Sequence, residues 1–114
     1  MPEQGDIVLI PIPFTDLSSQ KRRPVIVVSN NDYNRATADI VVVAMTSNPA
    51  VTPYAIPIAS SDLARGRLNR PGTVRVDKVY TLSQSIIVKT FGKVRRDLLG
   101  RVHSLLTQLT SPRR

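Results

Sequence analysis

The apolar residues of this chain change to helical spacing in one segment, Asp97-Leu98-Leu99-Gly100-Arg101-Val102-His103-Ser104-Leu105-Leu106-Thr107-Gln108-Leu109. Its leucines and its valine form one apolar stripe, which we interpret as the core-packing face of a helix. Asp97 is the predicted N-cap, and Pro112 is the stop signal. Gly100 interrupts the stripe at a cost of about 1 kcal/mol relative to alanine, and a close approach of helix and sheet would compensate for it.

Short apolar runs precede this helix and predict a series of strands. They lie at residues 6–12, 25–28, 40–45, 54–58, 73–80 and 86–91. Turn formers at 29–32 and Gly92 predict breaks, and residues 60–72 are expected to form a basic loop or short turn. A parallel sheet needs a helix after most strands. The pattern therefore predicts one domain over residues 1–114, mainly β with a C-terminal α-helix, built as a small antiparallel barrel or curled sheet.

Composition excludes several classes of chemistry. The chain has no cysteine, which rules out disulfides, iron–sulfur clusters, thiolate zinc sites and cysteine nucleophiles. Its one histidine, His103, cannot form a multi-histidine metal site, and we expect it at the surface of the helix or half-buried there. No apolar run approaches the ~18 residues of a membrane span, and the first residues lack the features of a signal peptide. We expect a cytoplasmic protein that uses no metal or cofactor.

The charge of the chain indicates a polyanionic partner. Sixteen Lys and Arg residues stand against eight Asp and Glu residues, which gives a formal net charge of +8. Twelve of the sixteen are arginines, and arginine suits bidentate phosphate contacts better than lysine does. Nucleic acid or an acidic protein segment is the expected partner. The alternative is a basic surface that is simply solvated.

Two polar clusters flank predicted strands and are the candidate site. Lys21-Arg22-Arg23-Pro24 precedes the second strand, and Pro24 holds Arg23 in extended geometry. Thr46-Ser47-Asn48 ends the third strand. RNA carries its own nucleophile, the 2′-hydroxyl, so arginine and hydroxyl donors on a rigid edge can align it and stabilise charge on the phosphate. The alternative interpretations are solvated basic residues and ordinary turn chemistry.

Three motifs carry a resemblance to a known family. They are Gly5-Asp6-Ile7-Val8-Leu9-Ile10, Arg22-Arg23-Pro24-Val25-Ile26-Val27-Val28-Ser29 and Ala44-Met45-Thr46-Ser47-Asn48. In this order and spacing, together with residues 73–82 and the C-terminal helix, the chain resembles the PemK/MazF-like toxins, the growth-inhibiting endoribonucleases of toxin–antitoxin pairs. The resemblance implies an SH3-like barrel that forms homodimers and cleaves single-stranded RNA without metal, leaving a 2′,3′-cyclic phosphate and a 5′-hydroxyl.

The resemblance also implies roles for particular residues. The family's catalytic arginine falls on Arg23, where it would protonate or neutralise the developing phosphorane and the leaving oxygen. The catalytic threonine falls on Thr46, which would hydrogen-bond the scissile phosphate, and residues 14–22 would form a flap over the RNA. RNA-binding or supporting roles fall on Lys21, Arg22, Ser47, Asn48, Lys78 and Tyr80. Members of the family often carry Gln and Arg at the last two positions, so the resemblance does not imply a cut-site preference.

Two functions remain open from the sequence. The first is a sequence-selective endoribonuclease toxin, held in check by an antitoxin whose acidic, partly disordered segment covers the basic groove. The second is a non-catalytic binder of nucleic acid or protein on the same barrel, such as a toxin that poisons DNA gyrase.

Overall fold

The strands form one curved antiparallel sheet. The computed structural model describes residues 1–11, 21–48 and 52–112. Within them lie the strands β1 Asp6–Pro11, β2 Arg22–Val27, β3 Asp39–Thr46, β4 Ala55–Ile58, β5 Leu63–Arg65, β6 Gly72–Ser83 and β7 Lys89–Val94. Their order in the sheet is β4-β6-β3-β2-β1-β7-β5, and every pairing is antiparallel. The predicted mainly β, antiparallel fold class is confirmed.

The sheet curls into a half-barrel because its two outermost strands are consecutive in the chain. Only a short connection that contains a 3₁₀ turn, Ser60–Asp62, separates the end of β4 from the start of β5. A bulge in β6 contributes as well: Val43 of β3 pairs with Val79, whereas the next residue, Ala44, pairs with Arg75, so three residues of β6 are left between these pairs. Extra residues in one strand increase its local twist, and the bend lets the first half of β6 pair with β4 as well.

Apolar clusters cover both faces of the central strands. The first lies between the sheet and the C-terminal helix and includes Ile7, Ile26, Val43, Leu98 and Val102. The second, on the other face, includes Val8, Ile10, Val25, Val27, Ile40 and Val42. Burial on both alternations explains why these strands read as continuous apolar runs in the sequence.

Two α-helices accompany the sheet in the described residues. The short helix α1, Asn31–Ala36, follows β2 where the sequence predicted only a turn; the side chain of Asn30 caps it by accepting a hydrogen bond from the backbone N of Tyr33 at 2.8 Å. The C-terminal helix α2, Arg96–Thr110, buries Leu98 and Val102. The interpretation of its apolar stripe as a core-packing face is confirmed.

The structure corrects the predicted N-cap of α2 and shows the surroundings of Gly100. The N-cap position is Arg95, whose side chain makes no capping hydrogen bond, and Asp97 lies in the first turn. A carboxylate there is still favourable, because it faces the positive end of the helix dipole. No close approach of helix and sheet compensates for Gly100, since a Cβ at this position would meet nothing within 4 Å in the part of the chain that the structure describes.

Other predicted boundaries differ as well. Gly92 does not end a strand, since β7 runs through it. A glycine fits here because β5 comes close: the carbonyl oxygen of Arg65 lies only 2.8 Å from where a Cβ of residue 92 would be. The predicted strand at 86–91 begins only at Lys89, after a 3₁₀ turn at Gln84–Ile86. Residues 60–72, predicted as a loop, contain β5. Positions 14–20 of the predicted flap lie outside the described residues.

Candidate functional site

Neighbouring strands bring Arg23 and Thr46 to one end of the sheet. β2 and β3 pair with Val25 opposite Ala44. Arg23 and Thr46 each lie two residues beyond this pair, toward the same end of the two strands, and both line one cavity there. Side chains that are distant in the sequence therefore become neighbours.

Both residues line a cavity of about 750 Å³ at this end of the half-barrel. Its walls come from three parts of the chain: the ends of β1, β2 and β3, the segment 67–72, and the start of β7. Apolar side chains contribute to the lining, namely Leu9, Pro24, Met45, Leu68, Pro71 and Phe91. The cavity thus combines apolar surface with the polar ends of several strands.

The lining of this cavity is cationic. It contains no carboxylate from the described residues, and its cations are Lys21, Arg22, Arg23, Arg67, Arg70 and Lys89. Charges of one sign around a cleft add up to a potential that concentrates ligands of the opposite sign. The arrangement suits a polyanion with several phosphate groups.

The hydroxyl of Thr46 has a fixed position at the end of β3. Its Oγ1 accepts a 3.1 Å hydrogen bond from the backbone N of Asn48. This is the turn chemistry expected for Thr-Ser-Asn, and it leaves the hydroxyl proton available as a donor, because a hydroxyl both donates and accepts. Thr46 can therefore stabilise the turn through its hydroxyl oxygen and still donate the hydroxyl proton to a ligand in the cavity.

A bidentate ion pair lies close to this end of the sheet. Arg75 donates from Nε to Oδ1 of Asp77 at 3.0 Å and from Nη2 to Oδ2 at 2.9 Å. The hydrogen bond from Arg75 holds the pKa of Asp77 below its ordinary value, and the same contact raises the pKa of Arg75. Arg75 pairs with Ala44, two residues before Thr46 in β3. Opposite charges two residues apart in a strand are the sequence signal for such a pair, but sequence analysis did not single it out.

The predicted supporting residues divide into two groups. Those that line the cavity are Lys21, Arg22 and Ser47. Those outside its lining are Asn48, Lys78 and Tyr80. Lys78 and Tyr80 lie on β6 beyond Arg75, where Tyr80 pairs with Val42 and is 41% exposed.

One wall of the cavity was not predicted from the sequence. Arg67, Asn69 and Arg70 line it, although the sequence marked their segment only as a basic loop or turn. Lys89 lines it from the start of β7. The signal that points to this wall is the density of Arg and Asn between Gly66 and Gly72.

The described ranges contain neither a membrane-spanning helix nor a cluster of metal ligands. No helix there has both the length and the apolar character needed to cross a membrane. No three or more His, Cys, Asp or Glu side chains come together there as candidate metal ligands. His103 is exposed on α2, as expected.

The half-barrel, its C-terminal helix and the cationic cavity define a small basic β-protein with a cavity lined by six cations. Residues 3–110 match the family described as PemK-like, MazF-like toxin of type II toxin-antitoxin system. The chain belongs to this family, and the resemblance drawn from its sequence motifs is confirmed.

Named relatives agree with this assignment. The chain is 29% identical over 84 residues to endoribonuclease MazF1 of Mycobacterium bovis and to endoribonuclease MazF4 of Mycobacterium tuberculosis, covering 74% of either partner in each match. Among solved structures, it resembles an endoribonuclease in complex with its cognate antitoxin from a mycobacterial species (TM-score 0.80, 24% identity, all of both chains). It also resembles the MazE-MazF complex of Deinococcus radiodurans (TM-score 0.77, 21% identity, 98% of this chain and 97% of that one). These structures show that the fold is shared.

Proposed function

We propose that this toxin is an endoribonuclease that cleaves single-stranded RNA in the cavity lined by Arg23 and Thr46. The observation that supports the proposal is that both residues line one cavity whose lining is rich in cations. The names of the mycobacterial relatives, which are endoribonucleases, support it.

The proposed reaction uses the RNA's own nucleophile. The 2′-oxygen forms a bond to the adjacent phosphorus while the bond from phosphorus to the 5′-oxygen breaks. The 2′-hydroxyl gives its proton to water, and the 5′-oxygen takes up a proton from water as it leaves. The products are a 2′,3′-cyclic phosphate and a 5′-hydroxyl, and no metal takes part.

Arg23 and Thr46 divide the work of stabilising this transition state. The guanidinium of Arg23 stays protonated at any working pH, so it neutralises charge on the phosphorane and on the leaving oxygen. Thr46 donates its hydroxyl proton to the scissile phosphate, with Ser47 in support. Donors that are already in place cost no reorganisation when charge develops.

We further propose two protein partners and a compartment. A cognate antitoxin covers the cationic cavity with an acidic segment, and the toxin pairs with a second copy of itself in the cytoplasm. The net charge of +8 and the cationic lining support the first partner. Two of the similar structures are described as complexes with an antitoxin or with MazE.

Cleavage of one long RNA in the presence of a chelator tests the enzyme. We expect the wild-type protein to cut and the fragment ends to carry cyclic phosphate and 5′-hydroxyl. Arg23→Ala and Thr46→Ala should each slow cleavage by about 10²–10³-fold, the usual loss when one preorganised donor is removed. Arg101→Ala is the matched control, because it removes one positive charge from an exposed position of α2 outside the cavity.

The same assay distinguishes the competing function. Equal cleavage by Arg23→Ala and Arg101→Ala would show that the catalytic assignment is wrong. RNA that is bound but never cut by the wild-type protein would identify a non-catalytic binder.

A further inference from the structure

The cavity has a second wall, the segment 67–71, that the proposed reaction does not use. Arg67, Asn69 and Arg70 are exposed there and line the cavity together with Arg23 and Thr46. An RNA strand lying on the catalytic residues would therefore also meet these three polar side chains. A role for this wall in RNA recognition rests on the proposed ribonuclease function.

A glycine lies at each end of this wall, where the backbone comes close to the backbone of another strand. Gly66 has φ +79°, and a Cβ there would collide with the carbonyl oxygen of Phe91 in β7. At the other end, a Cβ at Gly72 would lie 2.7 Å from the carbonyl oxygen of Thr46. The backbone therefore passes close to β7 at one end and to the end of β3 at the other, and strand pairing holds both ends: Arg65 pairs with Lys93, and Thr73 pairs with Thr46.

The middle of the wall is fastened as well. The backbone N of Leu68 donates to the hydroxyl of Ser60 at 2.8 Å, and that hydroxyl donates back to the carbonyl oxygen of Leu68 at 3.2 Å. The side chain of Leu68 packs on the first apolar cluster. The side chains of residues 67, 69 and 70 accordingly project from a rigid base, which is the condition for precise recognition.

The three side chains suit different parts of an RNA strand. The Asn69 amide offers both donors and an acceptor, so it can pair with the edge of a base, and the bases of single-stranded RNA expose these edges. Arg67 and Arg70 on either side of it carry the charge that phosphates require. Contacts to bases select a sequence, whereas contacts to phosphates position the strand without selecting one.

We propose that segment 67–71 chooses where the RNA is cut: Asn69 reads a base next to the scissile linkage, and Arg67 and Arg70 hold the phosphates on either side. The division of labour is physical. The strand ends of β2 and β3 perform the reaction, and a rigid wall anchored to Thr46 sets which nucleotide stands beside them.

Cut-site mapping on one long RNA, followed by kcat/KM on two oligonucleotides, tests this proposal. One oligonucleotide carries the sequence that the wild-type protein prefers, and the other differs from it by a single base. For Asn69→Ala we expect the ratio of the two kcat/KM values to fall roughly tenfold or more, the usual discrimination lost with one base-edge contact. Gln108→Ala, which removes an exposed amide from α2, should keep the wild-type ratio.

Two further variants separate base recognition by Asn69 from phosphate binding by Arg67 and Arg70. Asn69→Asp keeps an acceptor but loses the donors, so its preferred sequence should shift. The double variant Arg67→Ala/Arg70→Ala should raise KM for both oligonucleotides by a similar factor and leave the ratio unchanged. Thermal melting of each variant monitors the fold.

The outcomes distinguish this inference from the proposed function. If the wild-type protein cuts RNA and Asn69→Ala cuts the same sites with the same ratio, the inference is overturned while the ribonuclease stands. If the wild-type protein cuts no RNA, the proposed function fails and the inference falls with it. A lowered ratio in Asn69→Ala with the ratio preserved in Gln108→Ala supports both.

Discussion

At the scale of single residues, Gly100 and Gly66 should respond in opposite directions to the same substitution. Gly100 is exposed within α2 and has open space around it. Gly100→Ala should raise the free energy of unfolding by about 0.4–1 kcal/mol, because alanine loses less backbone entropy on folding and has the higher helix propensity. Urea unfolding of the variant measures this gain.

Gly66→Ala is the counterpart. Its positive φ alone costs an alanine roughly 1–2 kcal/mol, and the contact with the backbone of Phe91 adds to that cost. We expect a lower unfolding free energy and weaker RNA cleavage, since the wall that begins at residue 67 loses its anchor. A variant as stable as the wild-type protein would show that this backbone contact can relax freely.

The Arg75–Asp77 pair makes stability depend on pH. The pKa of Asp77 is lowered in the folded protein by the hydrogen bond from Arg75, from an ordinary value of 3.8. The folded state therefore gains stability from the ionised carboxylate above about pH 4, and the gain is lost as the pH falls through the folded pKa. Asp77→Asn should be less stable than the wild-type protein at pH 7, and the difference should shrink at pH 3. A difference of the same size at both pH values would contradict this account.

At the scale of elements, the strands and the helix that could be predicted from the sequence are those with a clear local pattern of apolar residues. The strands of the central sheet contain long β-branched runs, and α2 shows a clear helical period, so their existence followed from residue spacing. Helix α1 was missed because its turn formers, Asn30 to Asp32, are also helix-capping residues. The three-residue strand β5 was missed because its pairing with β7 depends on a sheet edge that is distant in the sequence.

The candidate site divides in the same way. Arg23 and Thr46 could be found because each lies at the end of a recognisable apolar strand and within a family motif. Asn69 and its neighbours could not, because they reach the cavity only through the closure of the half-barrel and the contact of Gly72 with β3. Residue spacing within the segment carries no information about that contact.

The side chain of Gln84 connects α1, β3 and the turn after β6, a contact that was not predicted from the sequence. The Gln84 amide nitrogen donates to the carbonyl oxygens of Asn34, Thr37 and Asp39 at 2.8, 3.2 and 2.9 Å, which ties the end of α1 and the start of β3 to the turn after β6. Gln84→Ala should lower the unfolding free energy by about 1–3 kcal/mol, because it removes the side-chain donor to the partly buried carbonyl of Asn34 and one of the donors to that of Asp39. Gln108→Ala, at an exposed helical position, should change it by less than about 0.5 kcal/mol.

At the scale of the whole molecule, the positive charge is spread unevenly. Six of the sixteen Lys and Arg residues of the chain line one cavity. Elsewhere, Arg35, Arg75, Lys93 and Arg95 form ion pairs with carboxylates. Six cations are thus grouped where the RNA is proposed to bind, in a lining without a carboxylate from the described residues, which favours a specific electrostatic surface at this end of the sheet.

This distribution predicts how RNA affinity depends on salt. Each phosphate neutralised on a single strand contributes about −0.7 to the slope of log K against log salt, so the six cavity cations allow a slope down to roughly −4. Titration of a non-cleavable RNA at several salt concentrations measures it. Arg70→Ala should reduce the slope by about 0.7, whereas Arg101→Ala on α2 should leave it unchanged. Equal changes in the two variants would mean that the strand is held by the net charge of the protein and not by the cavity.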